Sequence, residues 1–371
     1  MSAVLRVFIV DDSAFTRKAL TRVLGAHDEF LVVGEAASGH EALDKIPAAR
    51  PDVVTLDVDL PGMNGLAILR ELVRRYPKLP VLMLSALTQA GAEITLEALS
   101  LGAVDFIDKT SFSLTDLDQL SHRLLDKLRL WTKVRTRADT PSARPARRSV
   151  RPMFLAARTG RFKLPPPAVR IDWSRYDLCV IGASTGGPPA LESILSTARA
   201  DFPLPIAIVQ HMPTGFTRPF AERLNGLSHL TVSEAKQADR LAPGMAVIAP
   251  AGQQLRVTSH LDLKLGEGGA GERHAPSVDV LLRSAVRSCH GRVLAILLTG
   301  MGDDGAAGMV ELKQAGGLCL AESEESCVVF GMPRAAQERG GVHHMLALRD
   351  IAYLFVATSD TDDQPRPAKG D

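Results

Sequence analysis

Apolar residues follow two alternating spacings along the first 130 positions. Short unbroken runs at Leu5–Val10, Leu31–Glu35, Val53–Asp57, Val81–Ser85 and Val104–Ile107 predict buried strands. Between them, Ala14–Leu24, Gly65–Tyr76 and Ala92–Leu101 carry apolar residues at helical spacing, and Leu117–Leu130 predicts a closing helix. Five βα repeats imply a parallel sheet with helices on both faces, a flavodoxin-like (βα)5 domain over 1–132. From Lys133 the periodicity stops, and 133–172 predicts a linker. It resumes at Tyr176, where DLCVIGAS, PIAIVQHM and VLAILLTGM each run into a Gly- or Pro-marked turn. Helices are expected over Pro188–Leu195, Thr217–Leu224, Ser277–Ser288 and Ala306–Ala315. The segments AVIAPAGQQLRV and LDLKLGEGG predict an inserted hairpin. The second domain, 173–358, is therefore a doubly wound parallel-sheet α/β domain with a β-hairpin. The polar stretch 359–371 is expected to be a disordered tail.

Composition sharpens this division. The chain of 371 residues is 46% apolar and 23% charged, ordinary for globular domains, and its net charge is only +1. That small sum conceals eleven Lys and Arg against one acid, Asp139, within 133–170, flanked by two mildly acidic domains. The linker's six prolines predict extension, and its cations could attract the domains on either side. Four cysteines without metal-type spacing argue against a disulfide framework or a zinc site. The apolar stretch of MSAVLRVFIVDD is too short for a signal peptide, and no run approaches the ~18 residues of a membrane span. A reduced, cytoplasmic protein without membrane insertion is expected. An acidic second domain without a helix-turn-helix signal gives no case for nucleic acid.

Candidate chemistry sits at strand ends. Asp11 and Asp12 end the first strand and Asp57 the third, and in 2-1-3-4-5 order these flank the topological switch where ligands bind. Three mutually repelling carboxylates demand a cation, and an all-oxygen set with open positions suits Mg²⁺. Ser85 and Lys109, after strands four and five, could contact oxygens of a group carried on Asp57. This constellation resembles the receiver domain of bacterial response regulators, with Asp57 inside LDVDLPGMNG, Ser85 in LMLSA and Lys109 following Phe106. The resemblance implies that Asp57 accepts a phosphoryl group from a histidine kinase. Asp11, Asp12 and Asp57 would hold Mg²⁺, Ser85 and Lys109 would contact the phosphoryl group, and Phe106 would be the switch aromatic.

In the second domain, Gly182-Ala183-Ser184-Thr185-Gly186 follows a strand and fits G-x-S-x-G, a turn that lifts a serine hydroxyl clear of the backbone. A phosphate cradle is the competing reading of that turn. His211 ends the strand IAIVQ, and Asp303 and Asp304 follow AILLTG. Hydroxyl, imidazole and carboxylate on one sheet crest supply a nucleophile, its base and an orienting acid. The order Ser…His…Asp differs from the usual α/β-hydrolase order. GASTGG, QHMPTGFTRPFAERL, PSVDVLL and LTGMGDDGAAGM together resemble the chemotaxis protein-glutamate methylesterase/protein-glutamine glutaminase (CheB) family. Carried over, the resemblance implies Ser184 as nucleophile, His211 as general base, Asp304 rather than Asp303 as the acid, and oxyanion donors at the amides of Thr185 and Met301. It implies no cofactor in this domain, methyl-accepting chemoreceptors as substrate, and a receiver that covers the cleft until phosphorylated. Ala275, before PSVD, departs from a position often basic in relatives. A nucleotide-binding output domain leaves His211 and Asp304 without a role. A methylated substrate outside motility is not separable at this level.

Overall fold

Each apolar run above is a strand in the computed structural model, which describes residues 4–85, 89–109, 124–129, 169–269 and 273–356. In the first domain the strands are β1 (Leu5–Val10), β2 (Phe30–Ala36), β3 (Val53–Asp57), β4 (Val81–Ser85) and β5 (Asp105–Asp108). They pair in parallel in the order β2-β1-β3-β4-β5. Alternation along the strands feeds two separate cores: Phe8, Val10, Leu56 and Met83 on one face, Val7, Ile9, Leu82 and Leu84 on the other. Helices α1 (Ala14–Gly25), α2 (Gly39–Ala49), α3 (Gly65–Arg75) and α4 (Gln89–Leu101) connect them, and 124–129 (α5) is helical. The first three begin at side-chain caps, Ser13, Ser38 and Asn64, which accept the orphan amides of Thr16, Glu41 and Ala67. The rest of the expected closing helix, nearly all of the basic linker and the polar tail lie outside the described residues.

The second domain holds a seven-stranded sheet ordered β14-β13-β12-β6-β7-β9-β8, with every pairing parallel. Its central strands are β6 (Leu178–Ala183), β7 (Ile206–Gln210) and β12 (Val293–Leu297), all fully buried. Around them lie β8 (Thr231–Glu234), β9 (Met245–Ile248), β13 (Leu318–Glu322) and β14 (His344–Leu346). Helices α6 (Gly187–Leu195), α7 (Thr217–Leu227), α8 (Val278–Ser288), α9 (Ala306–Gln314), α10 (Met332–Glu338) and α11 (Leu348–Leu354) cover both faces. The hairpin expectation needs one correction. Ala246–Ile248 belongs to β9 of the main sheet, and the antiparallel pair is β10 (Gln254–Val257) with β11 (Leu263–Gly266). One apolar string was two strands because Pro250 and Gly252 turn the chain between them. β12 and β7 flank β6 on opposite sides, so the strand order reverses there, and the rims of all three strands meet at the switch point.

The domains touch directly. The face formed by α4, β5 and α5 lies against α6 and α7 of the second domain. Phe106 stacks on Phe216 with ring centroids 4.5 Å apart. The Thr185 hydroxyl donates to Asp105 Oδ2 at 2.7 Å, and Ser100 Oγ lies 2.8 Å from the Glu192 carboxylate and from Arg223 Nη2.

Candidate active site and phosphorylation site

The two expected sites each assemble at a parallel-strand rim. In the first domain, Asp11, Asp12 and Asp57 bring carboxylate oxygens within 4.8 Å of one another. Asp11 and Asp57 are buried, and Lys109 Nζ lies 2.9 Å from Asp11 Oδ2 and 2.7 Å from Asp57 Oδ2. Burial pushes the Asp57 carboxyl up to about 6, the repulsion of Asp11 adding to it and Lys109 opposing it. One lysine cannot balance three acids packed this closely, and an all-oxygen cluster that includes the exposed Asp12 fits a hard divalent cation that keeps waters. Ser85 is fully buried beside this rim, accepting from Thr95 Oγ1 of α4 at 2.7 Å and donating to Gly91 O at 3.3 Å. Its hydroxyl thus engages α4 here. Phe106 faces the neighbouring domain, as the stack on Phe216 shows.

In the second domain, Ser184, His211 and Asp304 follow β6, β7 and β12. His211 Nε2 meets Asp304 Oδ2 at 2.8 Å, which puts the ring proton on Nε2 and leaves Nδ1 a free lone pair. Asp304 is held from three further sides: Ser277 Oγ donates at 2.7 Å, Val278 N–H at 2.7 Å and Asp279 N–H at 3.1 Å. Those donors are the N-cap and first turn of α8, the part of a helix that favours negative charge. Burial alone would raise Asp304, yet the His211 contact and the two amides hold it at about 2. Asp303, the competing candidate, instead pairs with exposed Arg339.

Backbone geometry fixes the nucleophile's turn. Ser184 N–H donates to Thr299 O at 3.1 Å, and Thr299 Oγ1 donates to Thr185 O at 2.9 Å. A Cβ on Gly300 would stand 2.8 Å from Ser184 Cβ, so only glycine lets the loop after β12 lie against the serine. Glu322, buried on β13, accepts the Thr299 amide at 2.9 Å and steadies the same loop. The amides of Thr185 and Met301 have no hydrogen-bond acceptor among the described residues, as an oxyanion hole requires. No hydrogen bond joins Ser184 Oγ to His211 here, a contact that commonly closes only with substrate bound.

Sequence reasoning missed three contributors. Ser277 is an N-cap whose hydroxyl serves Asp304; the PSVD string gave its position but not its partner. His274 stacks its ring on His211 with centroids 4.5 Å apart; burial, and the repulsion it would meet from a protonated His211, lower its pKa. Gln210 reads as the last residue of a buried strand, and its role shows only in three dimensions.

A family model of the response regulator receiver domain matches residues 7–121, and one of the CheB methylesterase matches residues 179–355. A protein-glutamate methylesterase/protein-glutamine glutaminase 2 of Nitratidesulfovibrio vulgaris is 42% identical over 371 residues, covering 95% of this chain and 98% of that protein. The chain belongs to the CheB family. A protein-glutamate methylesterase/protein-glutamine glutaminase 1 from Geobacter metallireducens is 42% identical and covers 94% of both chains, and a protein-glutamate methylesterase/protein-glutamine glutaminase from Archaeoglobus fulgidus is 41% identical over 95% of this chain and 97% of its own. Both domains of this CheB-family chain therefore fall within the shared length. The α/β reading of each domain holds. Among the described residues no helix is long and apolar enough to cross a membrane.

Proposed function

We propose that the chain hydrolyses glutamate methyl esters, and deamidates glutamines, on methyl-accepting chemoreceptors, under control of phosphorylation at Asp57. The observation that carries this reading is the hold on His211: a carboxylate kept ionised by four donors fixes one tautomer of an imidazole beside a serine on a strand-to-helix turn. His211 Nδ1 takes the Ser184 proton as Oγ bonds to the ester carbonyl carbon. The developing oxyanion is met by the Thr185 and Met301 amides, each such donor worth roughly 10²–10³ in rate. The imidazolium returns its proton to the leaving methoxide, and methanol departs. Water, deprotonated by the same ring, then cleaves the acyl-serine and regenerates the hydroxyl. With a glutamine the same sequence releases ammonia.

Access is the controlled step. With the receiver docked, the space beside Ser184 and His211 is a cavity of about 30 Å³, shared with Leu99, Phe106 and Lys127 of the first domain. A cavity of that size has room for about one or two waters, and part of its wall belongs to the receiver. Asp105 also engages the Thr185 side chain beside the nucleophile. In the receiver, Asp57 would be the acceptor of a histidine kinase's phosphoryl group and Lys109 its counter-charge. A Mg²⁺ held by Asp11, Asp12 and Asp57 would neutralise charge on the transferring group. Engagement of Ser85 by the phosphoryl oxygens would draw it from Thr95 and loosen α4, which packs on the second domain. On this reading the enzyme acts in the cytoplasm. The test is methanol release from methyl-esterified receptor membranes. Release that accelerates with acetyl phosphate and Mg²⁺ and disappears in Ser184→Ala is expected; undiminished release by Ser184→Ala overturns the reading.

A further inference from the structure

Gln210 ends β7, and its backbone pairs in register with Ala183, the residue before the nucleophile. Ser184 and His211 therefore step off adjacent strands side by side. The Gln210 side chain, only 1% exposed, bridges that step. Its single amide nitrogen donates to Ser184 O at 2.9 Å and to His211 O at 3.1 Å. We infer that Gln210 is a positioning residue: one side-chain NH₂ ties the backbones of the nucleophile and the general base together and sets their separation for proton transfer. This rests on the proposed roles of Ser184 and His211.

Three features support a dedicated brace over ordinary packing. The two acceptors are carbonyl oxygens, so the amide works in one orientation only; turned over, its own oxygen would face both carbonyls. The Gln210 Oε1 atom is buried without a hydrogen-bond partner, a costly state that the fixed orientation of the nitrogen end explains. Finally, the seat is cut to fit. Gly187, the last glycine of GASTGG, is where a Cβ would stand 2.0 Å from Gln210 Oε1. Ser184 O also accepts from Gly187 N–H at 2.8 Å, so both its lone pairs are occupied and the turn cannot swing about that carbonyl. Both acceptors of the Gln210 amide belong to its own domain, so the brace needs no contact from the receiver.

The test uses the full chain activated with acetyl phosphate and Mg²⁺, and reads both receptor demethylation and the rate at which a β-lactone probe, ring-opened by the serine hydroxyl, acylates Ser184. Gln210→Met keeps length and loses both donors. Its kcat and acylation rate should fall about 10- to 100-fold, the penalty of a misplacement near 1 Å, with KM within about 3-fold of wild type. Gln210→Glu provides a second signature where Gln210→Met folds poorly. Its carboxylate would repel both carbonyls, whereas the protonated acid regains one donor. The acylation rate relative to wild type should therefore climb as pH falls from about 8 to about 6, since burial raises a carboxyl pKa. Wild-type acylation rates in Gln210→Met, or a pH-independent ratio in Gln210→Glu, would overturn the brace. Failure of the wild-type chain to label at Ser184 would instead sink the reading on which it rests.

Discussion

The two rims of this molecule use the same residue type for opposite purposes. At the first rim, Asp57 sits among acids with one lysine for company, and burial pushes its carboxyl up to about 6. At the second, Asp304 is also buried, yet the His211 ring and three further donors hold it at about 2. The receiver site is built incomplete, with charge that a cation and a phosphoryl group would rearrange. The second site already holds its His211–Asp304 pair, and residues of the receiver line the space beside it. Regulation can then act on access without rebuilding the catalytic groups, which fits a receiver that changes state and a catalytic domain that does not.

The contrast breaks most easily at Asp304. Asp304→Asn should lose about 10⁴ in kcat, because an amide favours the wrong imidazole tautomer while leaving the packing intact. Asp303→Asn removes only an exposed pair with Arg339 and should stay within a few-fold of wild type. A large loss at Asp303 instead would show that the site is not held as described. The same carboxylate gives a stability signature. The difference between 3.8 and about 2 corresponds to about 2 kcal/mol of native-state preference for the ionised form. That contribution is complete above about pH 4 and is lost as pH falls toward about 2. Chemical denaturation of wild type against Asp304→Asn should show a gap that is constant near neutrality and closes on the acid side.

At the incomplete site, Asp57→Asn should abolish labelling by acetyl phosphate and leave the chain at its unphosphorylated rate. It should remain capable of full Ser184 chemistry once the cover is otherwise loosened. Smaller still is the effect of the contact itself. Phe106→Ala removes a stacked pair worth about 0.5–1.5 kcal/mol, so unphosphorylated activity should rise about 2- to 10-fold. Ser100→Ala deletes only a solvent-edge hydroxyl and should change that activity less than about 2-fold. No ion pair crosses between the domains among the described residues, so salt should act weakly through this interface. A strong salt activation would point back to the basic linker.

Much of this was legible in the residues. The acids at strand ends followed from unbroken apolar runs and helical spacing alone, because buried parallel strands are continuous apolar runs whose ends project residues to one rim. Ser184 and His211 were legible from turn chemistry, but the choice between Asp303 and Asp304 needed either the family motif or the geometry. What stayed hidden had partners far along the chain. Gln210 looks like any strand terminus until Ser184 is beside it, and Ser277 is one N-cap among several until Asp304 comes from 27 positions away. The short edge strands β8 and β14 were missed because few of their residues are buried, which leaves no apolar run to read.

The central claim is that a finished hydrolase site lies beneath the receiver. It is tested most directly by the rate at which a β-lactone probe acylates Ser184 in the full-length chain, with and without acetyl phosphate and Mg²⁺. Acylation should be slow in the unphosphorylated chain and about 5- to 150-fold faster on phosphorylation, a coupling of about 1–3 kcal/mol. Phe106→Ala should close part of that gap without phosphodonor. Equal acylation rates in both states, with phosphorylation verified on Asp57, would contradict a covered site.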